Sequence, residues 1–186
     1  HKLQGQSPYS ASKIGADKIA ESYYLSFDTP VVTIRPFNTF GPRQSQRAVI
    51  PTIISQLIEK ESVSLGSLFP TRDLNYVENT VDGFICGLSA KEAPGKTVNL
   101  GYGKEISIGE LVNLIAQILG KEASVVNENE RMRPKNSEVD RLLADNTLAR
   151  NILNWEPKIG LKEGLSKTVE WIQDNIDTYN TEKYSI

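Results

Sequence analysis

The chain has 186 residues, of which 39% are apolar and 24% charged, with 21 basic and 23 acidic side chains for a net charge of −2. These values fit an ordinary soluble globular protein of one domain, or parts of two, with enough length to bury a core. The lack of a basic excess or a Lys/Arg run argues against nucleic acid or a membrane surface as partner, and neither a signal peptide nor a membrane-long apolar run is seen.

Ser7-Pro8 opens the first predicted helix, because serine is a favoured N-cap and proline suits the first turn. The helix runs from about Tyr9 to Ser26, and Asp28-Thr29-Pro30 breaks it. Val31 to Arg35 is a β-branched run with the character of a buried parallel strand, ended by Pro36. Phe37 to Arg47 reads as a polar loop. Ile50 to Lys60 reads as a helix with Pro51 in its first turn, and Val63 to Leu65 as a short strand. Asn79 to Ser89 follows as an amphipathic helix and Thr97 to Leu100 as a strand. Ser107-Ile108-Gly109-Glu110 has the form of a capping box, opening a helix that Gly120 closes. Ala123 to Val126 is read as a strand, and Asn146 to Leu153 and Leu161 to Tyr179 as helices. The alternation of strands and helices sets the class as α/β.

Single residues narrow the chemistry. Cys86 is the one cysteine and lies in an apolar run, so it reads as a packing residue in a reducing, cytoplasmic setting. His1 is the one histidine, and no Cys/His cluster with ligand spacing is present, so no metal site is expected. Gly101-Tyr102-Gly103 follows a strand, but Ile106 stands where a third glycine of a dinucleotide fingerprint would be needed. It reads as a turn before the Ser107 cap.

Tyr9 and Lys13 are four apart on the first helix, which puts both on one face. A phenol ordinarily loses its proton near pH ~10, and an adjacent ammonium favours the phenolate. Such a pair can exchange a proton with a substrate hydroxyl while hydride leaves the same carbon. The spacing alone is common. Its context is more specific: Ser7-Pro8-Tyr9-Ser10-Ala11-Ser12-Lys13 is followed by Arg35-Pro36-Phe37-Asn38-Thr39-Phe40-Gly41-Pro42-Arg43, then by Arg72-Asp73-Leu74-Asn75-Tyr76-Val77, Asn99-Leu100-Gly101, Arg133-Pro134 and Asn154-Trp155-Glu156-Pro157. Across nearly the whole chain these resemble the extended short-chain dehydrogenase/reductases, the NAD-dependent epimerase/dehydratase family that acts on nucleotide sugars. Gln4-Gly5-Gln6 before Ser7, and Arg43-Gln44-Ser45 with Arg47-Ala48-Val49-Ile50-Pro51, resemble the dehydratases of legionaminic-acid-type sugar pathways.

The resemblance implies an NAD-dependent 4,6-dehydratase of nucleotide-linked N-acetylglucosamine, with 4-epimerase as the nearby alternative and a non-catalytic nucleotide-sugar-binding module as the distant one. It implies Tyr9 and Lys13 as the catalytic pair, with Pro36 beside the nicotinamide. It implies Asn38, Val49, Arg72, Asn99 and Arg133 as substrate contacts, the arginines suiting a diphosphate. Oxidation at sugar C4 would acidify the C5 proton, and water would leave across C5 and C6. The acidic pair for that elimination and the glycine-rich cofactor turn belong upstream of the tyrosine helix in the family. The chain therefore reads as a C-terminal fragment, inactive when isolated. The expected architecture is the back of a Rossmann-type parallel-sheet domain (residues 1–42 and 76–100) plus a smaller, mostly helical substrate lobe (residues 43–75 and 101–186). The full-length protein is expected to be a homodimer that pairs partly through the first helix.

Overall fold

A computed structural model describes residues 3–127 and 139–179. Helix α1 spans Pro8–Phe27 and opens as the sequence predicts. Ser7 Oγ accepts from the Ser10 N–H at 3.2 Å, Ser10 Oγ accepts from the Ser7 N–H at 2.9 Å, and Pro8 sits in the first turn. Asp28, in the left-handed region at φ 52°, closes the helix by donating its N–H to the Tyr23 and Tyr24 carbonyls. None of the helix's residues is buried.

Strand β1 (Thr33–Pro36) runs parallel to β5 (Thr97–Leu100), with Arg35 opposite Asn99 and Pro36 opposite Leu100. β2 (Asn38–Phe40) runs parallel to the upper half of β4 (Thr71–Tyr76), whose lower half pairs antiparallel with β6 (Glu105–Ser107) and parallel with β8 (Arg141–Leu142). β3 (Ser62–Leu65) pairs parallel with β7 (Ser124–Asn127). Helices α2 (Val49–Glu59), α3 (Val77–Ser89) and α4 (Ile108–Leu119) lie between these strands in sequence, and α5 (Thr147–Leu153) and α6 (Leu161–Asp174) follow the last of them. The α/β class with parallel sheets is as expected.

Four differences from the sequence reading stand out. The polar loop after Pro36 contains β2. The Arg72 to Val77 segment, assigned no element from sequence, is strand β4 and the first residue of α3. Glu105–Ser107 and Arg141–Leu142 also pair as strands. The final helix stops at Asp174, and Ile176–Thr178 tightens into a 3₁₀ turn.

Two apolar cores result. The larger joins α2, α4 and α6 to β2, β3 and β4 through residues such as Ile53, Leu57, Leu74, Tyr76, Ile115 and Leu165. Gly164 of α6 lets the helix approach closely, because a Cβ there would stand 2.7 Å from Tyr76 Cδ2 and 3.0 Å from Phe40 Cζ. The smaller core joins β5 to α5 through Val98, Leu100, Ala149, Leu153 and Trp155, with Ile34 and Cys86 packed against it. Cys86 is thus a packing residue.

Buried polar groups tie the pieces together. Asn79 accepts the Lys158 and Ile159 N–H groups on Oδ1 (3.0 and 2.9 Å) and donates to the Ile159 carbonyl, while its own carbonyl takes the Trp155 indole N–H at 3.0 Å. The Asn154-Trp155-Glu156-Pro157 landmark is therefore docked onto the start of α3. Each of these bonds meets the rule that a buried polar atom needs a partner.

Candidate functional site

The i, i+4 spacing on α1 does bring Tyr9 and Lys13 together: Lys13 Nζ lies over the phenol ring, 5.7 Å from its centroid. That is within the range of a cation–π contact. Tyr9 is 72% exposed, so the phenol is open to approach.

Asp17, one more turn along the same face, fixes the helix against β1. Its Oδ2 accepts from Arg35 Nε at 2.8 Å and lies 2.6 Å from Nη2. Arg35 immediately precedes Pro36. Tyr9 lies eight residues towards the helix start from Asp17, about 12 Å at ~1.5 Å per residue. Asn38 lies three residues beyond Arg35, about 10 Å at ~3.3 Å per residue. A helix that leads into a strand packed beside it runs in the opposite direction, so the Asp17–Arg35 pair turns the Tyr9–Lys13 end of α1 toward the Asn38 end of the strand, although neither Tyr9 nor Lys13 lines the cavities described below. The sequence reading missed Asp17 and Arg35 in that role. The signal was available: Asp17 continues the Tyr9, Lys13 spacing by another four residues.

From Asn38 a cavity of about 350 Å³ opens into the larger core. Asn38, Val49 and Arg72, three of the five substrate contacts implied by resemblance, all line it. β2 supplies the first, the start of α2 the second and β4 the third, and the β2–β4 register aligns Asn38 with Leu74. Gln44, Arg47 and Ser67 also line it, and no Asp or Glu does so among the described residues. Arg72 Nη1 donates to the Thr71 and Val139 carbonyls at 2.8 and 2.6 Å, which holds the guanidinium at the cavity wall. Arg47 belongs to the Arg47-Ala48-Val49-Ile50-Pro51 motif, which by itself implies no role for it. It is exposed at the cavity. Two guanidinium groups lining one cavity suit a ligand that carries phosphate.

Gln44 Nε2 donates to the Thr39 carbonyl at 3.0 Å, while its Oε1 is buried without a hydrogen-bond partner among the described residues. No side chain caps α2, whose N-cap is Ala48, so the helix start at Val49 offers backbone N–H groups.

A second, shallower cleft of about 280 Å³ is lined by Pro36, Phe37, Asn38 and Leu142. Asn38 borders both spaces. Asn99 lies outside both linings, and its amide donates to the Asp145 carbonyl at 3.3 Å. Arg133 lies outside the described residues. Among the described residues, no cluster of three or more His, Cys, Asp or Glu side chains could hold a metal ion. None of their helices is long and apolar enough to cross a membrane.

Asp73 is the most buried acid near the site and could be mistaken for a general base. Its carboxylate accepts the N–H groups of Tyr102 (2.7 Å), Gly103 (2.8 Å) and Ala144 (3.1 Å). Burial pushes the carboxyl up from its ordinary value, and the three N–H donors oppose that. It spends its lone pairs on holding the Gly101-Tyr102-Gly103 turn and β8's flank to β4, so its role is architectural. The Gly-Tyr-Gly turn is thus occupied by this chain's own carboxylate.

Residues 1–168 match the sequence family described as GDP-mannose 4,6 dehydratase, and the chain belongs to that family. It is 33% identical over 188 residues to the dTDP-D-glucose 4,6-dehydratase of Homo sapiens, covering 97% of this chain and 52% of that protein. It is 31% identical over 173 residues to a UDP-glucuronate 4-epimerase of Thermodesulfobacterium geofontis, covering 92% and 52%. The crystal structure of a dTDP-glucose 4,6-dehydratase from Bacillus anthracis in complex with NAD is similar at a TM-score of 0.80 and 30% identity, covering 92% of this chain and 53% of that one. The chain spans about half the length of these curated relatives.

Proposed function

We propose that this chain is the substrate-gripping half of an NAD-dependent nucleotide-sugar 4,6-dehydratase that takes UDP- or GDP-linked N-acetylglucosamine to its 4-keto-6-deoxy form. The observation that carries this reading is the cavity lined together by Asn38, Val49, Arg72 and Arg47, with the Tyr9–Lys13 pair on the helix tied to β1. Arg72 and Arg47 grip the diphosphate, and Asn38 hydrogen-bonds the sugar end where the two spaces meet. The start of α2 at Val49 lies against the nucleotide. Asn99 joins only by releasing the Asp145 carbonyl, and Arg133 completes the set on the strength of the resemblance alone.

Tyr9 takes the proton of the sugar C4 hydroxyl. Lys13, held beside the Tyr9 ring, favours that transfer and reaches a ribose hydroxyl of the cofactor. The shallow cleft floored by Pro36 and Phe37 has the flat apolar walls that a nicotinamide ring needs, so these residues fit NAD. NAD, when bound, supplies the hydride acceptor for C4 and later returns the hydride. The groups that eliminate water are proposed to lie in the half that the relatives carry and this chain does not. In that protein, residues 1–42 and 76–100 join the Rossmann-type domain and 43–75 with 101–186 form the substrate lobe. α1 contributes to a homodimer contact, and the reaction takes place in the cytoplasm.

A second reading, 4-epimerase, is favoured by the likeness to a UDP-glucuronate 4-epimerase at nearly the same identity as to the dehydratase. Product mass separates the two. The protein that carries this chain with its missing half is incubated with UDP- and GDP-N-acetylglucosamine. A product lighter by one water supports dehydration, and an isomer of unchanged mass supports epimerisation. Tyr9→Phe is expected to abolish turnover and leave nucleotide-sugar affinity nearly intact. Unchanged turnover in that variant removes Tyr9 from the mechanism.

A further inference from the structure

The stretch Gly41 to Ala48, which joins β2 to α2, carries Gln44 and Arg47 to the cavity, and its conformation is held from several sides. Arg43 sits at φ 65°, in the left-handed region that side chains other than glycine rarely adopt. Gln44 is strapped back to the Thr39 carbonyl, and Thr52 Oγ1 donates to the Gln46 carbonyl at 2.8 Å. Both of these restraints come from neighbours in sequence.

A further one comes from 135 residues away. The 3₁₀ turn Ile176–Thr178 folds the chain back after α6, so that Tyr179 packs edge-on against Trp171 at 6.1 Å and is only 9% exposed. Its hydroxyl donates to the Gln44 carbonyl at 3.1 Å. The ring is fixed by the core, so the phenol O–H reaches Gln44 as a strut anchored in α6. A backbone carbonyl in a loop with a left-handed residue beside it is the kind of group whose position needs such an outside restraint.

We propose that Tyr179 is a positioning residue for substrate binding. Its hydroxyl holds the Gln44 loop in the conformation that presents Arg47 to the nucleotide diphosphate, so it tunes affinity without touching ligand. This rests on the nucleotide-sugar reading of the cavity. The cost of losing the strut is that of one hydrogen bond to a partly buried carbonyl, about three- to tenfold in affinity.

The test uses the 186-residue chain with UDP and GDP as probes in calorimetry, comparing wild type, Tyr179→Phe and Arg72→Ala. Backbone amide exchange over residues 43–48 is followed in parallel. Tyr179→Phe keeps the ring against Trp171 and removes only the O–H. The expected result is weaker binding of the better probe by about three- to tenfold, faster exchange confined to 43–48, and a larger affinity loss in Arg72→Ala. If Arg72→Ala weakens binding and Tyr179→Phe leaves both affinity and loop exchange unchanged, the positioning role is overturned and the cavity reading stands. A fall in melting temperature with affinity unchanged also overturns it, since it makes the hydroxyl merely structural. If wild type binds neither probe, or Arg72→Ala binds as well as wild type, the cavity reading falls and takes the inference with it.

Discussion

Helices α1 and α4 begin and end in the same way, and the rest of the molecule treats them oppositely. Each opens with a reciprocal serine capping box and closes with a left-handed residue, Asp28 in one and Gly120 in the other. α4 buries Leu111, Val112, Ile115 and Ala116 against α2 and α6, whereas α1 buries nothing and exposes Tyr23, Leu25 and Phe27. Local capping chemistry therefore makes a helix independently of what covers it. The consequence is functional. The residues proposed to grip substrate sit on elements that pack a completed core, while the phenol and ammonium proposed to do chemistry ride on a helix whose face is tied to β1 by Asp17–Arg35. Binding and turnover should be separable in this chain, and each half of that contrast can be attacked.

The largest effect is expected where the completed side depends on one buried acid. Asp73→Ala leaves three backbone N–H groups without their acceptor. At roughly 1–3 kcal/mol for each group left unsatisfied, the loss should reach about 3 kcal/mol, even after the relief of removing a buried charge. Denaturant unfolding would measure it. A loss under about 1 kcal/mol would mean that water replaces the carboxylate and that the Gly101–Gly103 turn holds itself.

Asp73 also shows why part of the fold was unreadable. Arg72-Asp73-Leu74-Asn75 is a polar-rich stretch, and local pattern assigns such residues to a loop. It is instead a strand whose Asp73 is buried because its partners come from residues 102, 103 and 144. Long-range hydrogen bonds leave no local periodicity. By contrast, β1 and β5 announce themselves by β-branched runs, and the α1 and α4 starts by their serines, since those signals act within a few residues. The site divides in the same way. The pairing of Tyr9 with Lys13 was legible from helical spacing. The meeting of Asn38, Val49 and Arg72 followed from resemblance alone, and Gln44 and Arg47 gained roles only once a cavity connected them.

A pair of glycines gives the next test, with opposite signs expected for the same substitution. At Gly164 in α6 a new Cβ meets the Tyr76 ring at 2.7–2.9 Å, inside a core where neither ring can move far. Overpacking costs about 1–3 kcal/mol and outweighs the helix gain of up to ~1 kcal/mol, so Gly164→Ala should lower stability. At Gly15 in α1 a Cβ meets nothing within 4 Å. There the propensity gain stands alone, and Gly15→Ala should raise stability by about 0.5–1 kcal/mol. Thermal unfolding of both variants reads the result. Two changes of the same sign would show that the helices do not differ as their burial says.

The smallest effect separates the two capping boxes themselves, because only one of them titrates. In α4 the reciprocal partner is Glu110, whose Oε2 accepts from the Ser107 N–H at 2.9 Å and Oγ at 2.7 Å. Those bonds, the side-chain one first, hold its carboxyl below the ordinary 4.5. A depressed folded value means that the contribution is fully present above about pH 4.5, the unfolded value, and is lost as pH falls through the lower folded one. In α1 the partner is Ser10, which has no proton to gain in that range. Amide protection factors, which remove the intrinsic pH dependence of exchange, should therefore fall at Ser107 as the solution is acidified below that point. Those at Ser7 should hold until the chain as a whole unfolds. Equal loss at both helix starts would assign the change to global unfolding, and no loss at Ser107 would leave the Glu110 carboxylate without a part in holding the cap.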